Sequence, residues 1–244
     1  MRLYQGGCSF LQSPDVFVDT CLSEYFGKNL TNINNCMGGS SNTQIFRKAF
    51  FSIMKSDFDF VLIGWSQSWR HDKTIYELDL NDKHTNILLE ESNKEILDSE
   101  LGYEQIIGSS HNNNHCNFEP QGTDNVIMYT LALQNLLKSK NIPHLFVTMG
   151  ECNSKILKSR RGWLNLIDSN NYYGDGDIVS KMLHSVTKDF KRRHVEEGYS
   201  IPLVGEIFNH GDGYIRDSAS HLNENAKQIF ANKILKHITI NKMI

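Results

Sequence analysis

Phe58-Asp59-Phe60-Val61-Leu62-Ile63-Gly64-Trp65-Ser66-Gln67 holds a short continuous apolar run that stops at a glycine and turns polar after Trp65. Runs of this kind alternate along the chain with longer stretches of helical period. That is the pattern of strands joined through crossover helices in a parallel sheet, so the fold class is α/β. Strands are predicted at 2–6, 29–34, 58–64, 144–149 and 201–204. Between the second and third, Asn42 reads as an N-cap ahead of Ile45, Phe46, Ala49, Phe50, Ile53 and Met54, which share one helix face. Asp124 likewise precedes Val126, Ile127, Thr130, Leu133, Leu136 and Leu137, and this helix should stop near Asn141 because Pro143 follows. A helix over about 177–197 carries Lys191-Arg192-Arg193-His194 on a solvated face. Ala226, Ile229, Phe230, Ile234 and Ile238 mark a last helix.

The chain has 244 residues, a length that one α/β domain can absorb at about 150 residues per domain, so a single domain over 1–244 is expected. The stretch 67–122 breaks the rhythm: it is polar, rich in Asn and His, and too long for a strand-to-helix loop, so it reads as an insertion at one end of the sheet. A second irregular stretch spans 151–177. With 25 Lys plus Arg against 28 Asp plus Glu the formal charge is -3, which builds in no attraction to nucleic acid or to an anionic membrane. The composition, 39% hydrophobic with only four Pro, is that of a folded protein and neither a disordered nor a fibrous one. No apolar run approaches the ~20 residues that cross a bilayer, and no signal segment is recognisable at the start. The five cysteines are scattered and form no Cys-x-x-Cys pair. They point to a reduced setting: the cytoplasm, or the host cytoplasm for a virion component.

In open α/β sheets ligands sit beyond the carboxyl ends of the strands. After the first strand come Gly6-Gly7-Cys8-Ser9-Phe10, whose glycines let the chain turn and lift the Ser9 hydroxyl over the sheet edge. After the second come Cys36-Met37-Gly38-Gly39-Ser40-Ser41-Asn42-Thr43, a small-residue loop feeding a helix N-terminus where backbone N–H groups favour negative charge. After the third come Gly64-Trp65-Ser66-Gln67. Asp217-Ser218-Ala219-Ser220-His221 precede the last helix. A serine hydroxyl becomes a nucleophile when an imidazole takes its proton, and a carboxylate fixes the imidazole's tautomer. Ser9, His221 and Asp217 are candidates for those roles.

These blocks resemble the SGNH (GDSL-like) hydrolases. Gly7-Cys8-Ser9-Phe10 is similar to the first family block, with Cys8 where Asp is usual, and Gly38-Gly39-Ser40-Ser41-Asn42-Thr43 is similar to the second. Val61-Leu62-Ile63-Gly64-Trp65-Ser66 is similar to the third, and the Asp217 to His221 stretch to the last. The four stand in family order over nearly the whole chain. A subset in phage and bacterial genomes, with Gly-Cys-Ser-Phe followed by Gly-Trp-Ser or Gly-Trp-Thr, is more similar still. The resemblance implies a three-layer α/β/α, flavodoxin-like sandwich with a five-stranded parallel sheet, and a cofactor-free serine esterase acting on small acyl esters, such as acetate on a carbohydrate. By position, Ser9 is the nucleophile, His221 the general base and acid, and Asp217 its orienting partner. The oxyanion donors are the N–H groups of Ser9 and Gly39 with help from Ser66. Trp65 and Arg70 are expected to bind substrate.

Two departures from the family pattern stand out. The third-block Asn is Ser66 here, so Ser66 or Gln67 must substitute or activity is reduced. Asp217 lies four residues before His221 where the family has three, which leaves Asp212 and Ser218 as alternatives for orienting the imidazole. Cys8 is intrinsically the better nucleophile, but neighbouring strand residues face opposite sides and the family position is Ser9. His111, His115 and Cys116 have metal-like spacing, yet the intervening Asn run favours a polar loop and no metal is expected. Trp69, Arg70, Trp163, Tyr172 and Tyr173 are either an aromatic and cationic rim or insertion packing. A rival to the enzyme is a catalytically silent binding or structural module, and acyl transfer would use the same residues as hydrolysis.

Overall fold

The computed structural model describes residues 1–8, 11, 30–36, 40–68, 72–74, 106–108, 115–150, 152–184 and 224–243. Along the chain come β1 (Arg2–Gly6), β2 (Thr31–Asn34), α1 (Asn42–Lys55), β3 (Phe60–Trp65), β4 (Asp72–Thr74), β5 (Ile106–Gly108) and α2 (His115–Ser139). They are followed by β6 (His144–Thr148), α3 (Ser154–Ser159), α4 (Arg161–Leu164), a 3-10 turn (Ser169–Asn171), α5 (Ile178–Leu183) and α6 (Glu224–Ile240).

Four strands form one sheet in the order β2-β1-β3-β6, and every pairing in it is parallel. Gln5 lies beside Asn34 on one side and Leu62 on the other. β3 and β6 are buried at every position, as strands covered on both faces must be, and their near-continuous apolar sequence follows from that. β2 is polar and only partly buried, which suits an edge strand. The α/β class and the parallel sheet are as expected. The resemblance implies a five-stranded parallel sheet, and four of its strands are present among the described residues; the fifth candidate, 201–204, lies outside them. Within the 67–122 stretch, β4 and β5 pair antiparallel with each other, apart from the main sheet, an element the sequence pattern did not reveal.

The helix ends follow their caps, with corrections to the sequence reading. Ser41, not Asn42, caps α1: its hydroxyl accepts from the Gln44 N–H at 3.1 Å. α2 starts at His115, well before Asp124, and runs through Pro120. Asp124 instead takes a two-pronged bond from Arg160, whose Nε donates to Oδ1 at 2.6 Å and whose second terminal nitrogen donates to Oδ2 at 3.0 Å. The expected stop near Asn141 is observed: Asn141 has a φ of 56°, and the Ile142 N–H returns to the Leu137 carbonyl. Asp177 caps α5, but the helix ends at Leu183, where His184 leaves the helical conformation, so the expected helix over about 177–197 is not continuous; Lys191 to His194 lie outside the described residues.

An aromatic file crosses the core at the carboxyl end of the sheet. Phe46 stacks on Tyr129 at 4.4 Å, Tyr129 tilts against Trp65, Trp65 stacks on Phe146 at 6.2 Å, and Phe146 meets Tyr172. Tyr172 is sealed by a 2.7 Å bond between its hydroxyl and Thr148. Offset stacks of this kind add to the area they bury. Replacing Phe146 with Ala should therefore cost about 3–5 kcal/mol in denaturant unfolding.

His144, buried where β6 begins, has its pKa pushed below the ordinary 6.5, chiefly by loss of solvation. The unfolded chain then binds the proton more readily than the folded one, so this contribution is present above about pH 6.5 and is lost as the pH falls below it. His144→Gln should flatten the loss of unfolding free energy measured between neutral and acid pH.

Candidate active site

β1 is flanked by β2 on one side and β3 on the other, so the chain order reverses between β1 and β3, the switch point beyond whose strand ends open α/β sheets bind ligands. Three of the four motif blocks have described residues there. Gly7 and Cys8 follow β1, Gly64 to Gln67 end β3, and Ser40 to Asn42 open α1.

The first block is tied down by Leu11. Its N–H donates to the Cys8 carbonyl at 2.9 Å, and its own carbonyl accepts from the buried side chain of Gln5 at 2.8 Å. A Cβ placed on Gly64 would lie 2.2 Å from Leu11 Cδ1, so the Leu11 side chain lies across the end of β3 in space that a larger residue at 64 would take from it. Cys8 is fully buried in the hydrophobic core. Its thiol is thus closed to substrate, which removes it as the competing nucleophile. The neighbouring Cys36 thiol has its pKa pushed up by burial and, secondarily, by Cys8. Neither cysteine has the exposed, electropositive surroundings of a reactive thiolate.

The second and third blocks are joined by one side chain that the sequence reading treated only as a cap. Asn42 is 2% exposed, and its Oδ1 accepts from the Ser66 N–H at 2.7 Å. Its Nδ2 donates to the carbonyls of Ser66 and Gln67, both at 3.2 Å. The turn after β3 is held from two further sides. A Cβ on Gly122 of α2 would collide with the Ser68 carbonyl, and one on Gly150 would fall 2.6 Å from the Gln67 nitrogen. Helix α2 and the end of β6 therefore approach this turn as closely as backbones can.

Ser66 is fully buried at the end of β3, and its hydroxyl donates to Gln67 Oε1 at 3.0 Å. Trp65, expected to touch substrate, is fully buried in the aromatic file, so in this structure its ring packs the core. Tyr172 is likewise core, and Tyr173 packs edge-on against His184 and Phe230, which decides these two for packing over a rim. Trp163 stands exposed. Ser9, Gly39, Trp69, Arg70, Asp212, Asp217, Ser218 and His221 lie outside the described residues, as does His111; His115 and Cys116 begin α2. Among the described residues no group of three or more His, Cys, Asp or Glu is placed to hold a metal ion, and no helix is long and apolar enough to cross a membrane.

No protein-family model matches the chain, and no curated protein does. Among solved structures it is similar to the acetyl xylan esterase AlAXEase, with 14% identity and a TM-score of 0.47 over 98% of this chain and 100% of that one. It is also similar to a catalytic mutant of the acetylxylan esterase Axe2 from Geobacillus stearothermophilus, with 12% identity and a TM-score of 0.43 over 97% and 93% of the two chains. A third is the psychrotrophic esterase EstA from Pseudoalteromonas sp., with 10% identity and a TM-score of 0.41 over 98% and 97%.

Removing the Asn42 carboxamide strands a buried N–H and two carbonyls. Asn42→Ala should lower the unfolding free energy by about 1–3 kcal/mol in chemical denaturation. Asn42→Asp should fare no better, because a carboxylate cannot donate to the Ser66 and Gln67 carbonyls.

Proposed function

We propose that this chain is a serine esterase of SGNH type, hydrolysing small acyl esters through Ser9, His221 and Asp217. The observation that carries the reading is the convergence of three motif blocks on the β1 and β3 ends, with Asn42 of the second hydrogen-bonded to Ser66 of the third. Blocks far apart in sequence meet where a doubly wound sheet binds ligands.

In this reading Ser9 Oγ attacks the ester carbonyl carbon while His221 takes the hydroxyl proton. The carbonyl π pair moves to oxygen, and the oxyanion is held by the N–H groups of Ser9 and Gly39, with the Ser66-Gln67 pair beside them. Collapse expels the alcohol, which receives the proton from His221, and leaves an acyl-Ser9 ester. Water then repeats the cycle, losing its proton to His221 and releasing the carboxylic acid. Asp217 orients His221, with Asp212 and Ser218 as the alternatives set by the four-residue spacing. Arg70 pairs with a substrate carboxylate or with an acid of the insertion. Acetyl groups on carbohydrate are the favoured substrates, as the motif resemblance implies. A sugar or other alcohol in place of water would make the same site an acyltransferase.

A fluorophosphonate probe should form one covalent adduct on Ser9, and both Ser9→Ala and His221→Ala should abolish it. Ser9→Ala should also lower kcat on aryl acetates on the order of 10⁶-fold. A folded wild-type preparation that neither labels nor hydrolyses aryl esters would return the chain to the class of silent binding modules.

A further inference from the structure

We propose that the oxyanion donor standing in for the missing third-block Asn is the side-chain amide of Gln67, and that the Ser66 hydroxyl is a positioning residue that orients it. The proposal rests on the esterase reading above.

The hydrogen-bond inventory separates the two residues. A serine hydroxyl has a single proton, and that of Ser66 is directed to Gln67 Oε1. It is not available to an oxyanion in this arrangement, and Ser66 itself is fully buried. Gln67 is half-buried. Because its Oε1 accepts from Ser66, the orientation of its amide is fixed, and the two Nε2 hydrogens lie on the side away from Ser66. An O–H bond into the amide oxygen also polarises the group and strengthens the amide as a donor. Gln67 therefore offers the same chemical group as the family's Asn, a neutral carboxamide N–H, from one position later on a side chain one methylene longer.

The rest of Gln67 is anchored as such a donor must be. Its carbonyl accepts from Asn42 Nδ2 at 3.2 Å. Gly150 lies against its backbone and stem so closely that a Cβ there would sit 2.8 Å from both Cα and Cγ. The donor is thus fixed before substrate arrives and meets full charge only in the transition state. Its loss should appear in kcat, with KM little changed.

Steady-state hydrolysis of p-nitrophenyl acetate by the full chain tests this. Gln67→Met, which keeps the length and removes the donor, should lower kcat about 10²- to 10³-fold. Gln67→Glu, of the same shape, should do at least as much harm, and unchanged thermal unfolding midpoints would separate either effect from misfolding. Ser66→Ala should cost about 10-fold, the scale of one hydrogen bond, and Ser66→Thr should restore the rate. In the Gln67→Met background Ser66→Ala should cost nothing more, because a positioning group has no effect without what it positions. Wild-type kcat in Gln67→Met, or losses from the two sites that simply multiply, would overturn the donor assignment while Ser9-dependent hydrolysis leaves the esterase standing. Hydrolysis that is absent from the wild type or indifferent to Ser9→Ala would instead bring down the esterase reading, and this proposal with it.

Discussion

The carboxamide of Asn42 holds the first turn of α1 against the end of β3 by three hydrogen bonds, two of them fully buried. Its two-faced chemistry matters here, since one end accepts from an N–H while the other donates to two carbonyls of the same turn. A strand that has just left its ladder has unpaired backbone groups, and burying them unpaired would cost far more than the bonds return. The clamp thus allows the chain to turn inside the protein at residue 66 and not only at its surface. It also fixes the distance between the helix that follows the small-residue loop and the residues that end β3, on which any shared anion site between them depends.

Close packing at three glycines does the same work from the other directions. Gly64, Gly122 and Gly150 lie where a single added carbon would meet Leu11, Ser68 or Gln67. Beneath that layer the file from Phe46 through Tyr129, Trp65 and Phe146 to Tyr172 ties α1 and α2 to β3 and β6. The polar turn therefore rests on stacked rings. The oxyanion donors proposed above would be pre-organised by such a base, which is what distinguishes electrostatic catalysis from ordinary solvation.

β3 and β6 were legible because burial on both faces writes itself as an uninterrupted apolar run, as in Phe60 to Ile63 and Leu145 to Val147. Their ends were less so: Gly64 looked like a terminus, yet the ladder continues to Trp65, which pairs with Thr148. The cap of α1 was misplaced by one residue because Ser41 and Asn42 are both good caps. The choice is made by Ser66, far away in sequence. The start of α2 was hidden by Pro120 and Gly122, which local propensity reads as breakers; the close approach to Ser68 overrides that preference at Gly122. In the site, the position of Ser66 could be read from its block, but its hydroxyl's commitment to Gln67 and the burial of Trp65 could not. Those are facts about contacts, and periodicity carries no record of them.

The most direct test of the account is a crystal structure of the chain after reaction with a small alkyl fluorophosphonate, whose tetrahedral phosphoryl group mimics the oxyanion intermediate. The account requires the phosphorus on Ser9 Oγ and the His221 imidazole on the same rim of the sheet. It also requires the phosphoryl oxygen to lie about 2.7–3.1 Å from the Gly39 N–H and from Gln67 Nε2. An adduct on another residue, or His221 on the far side of the sheet, would contradict it.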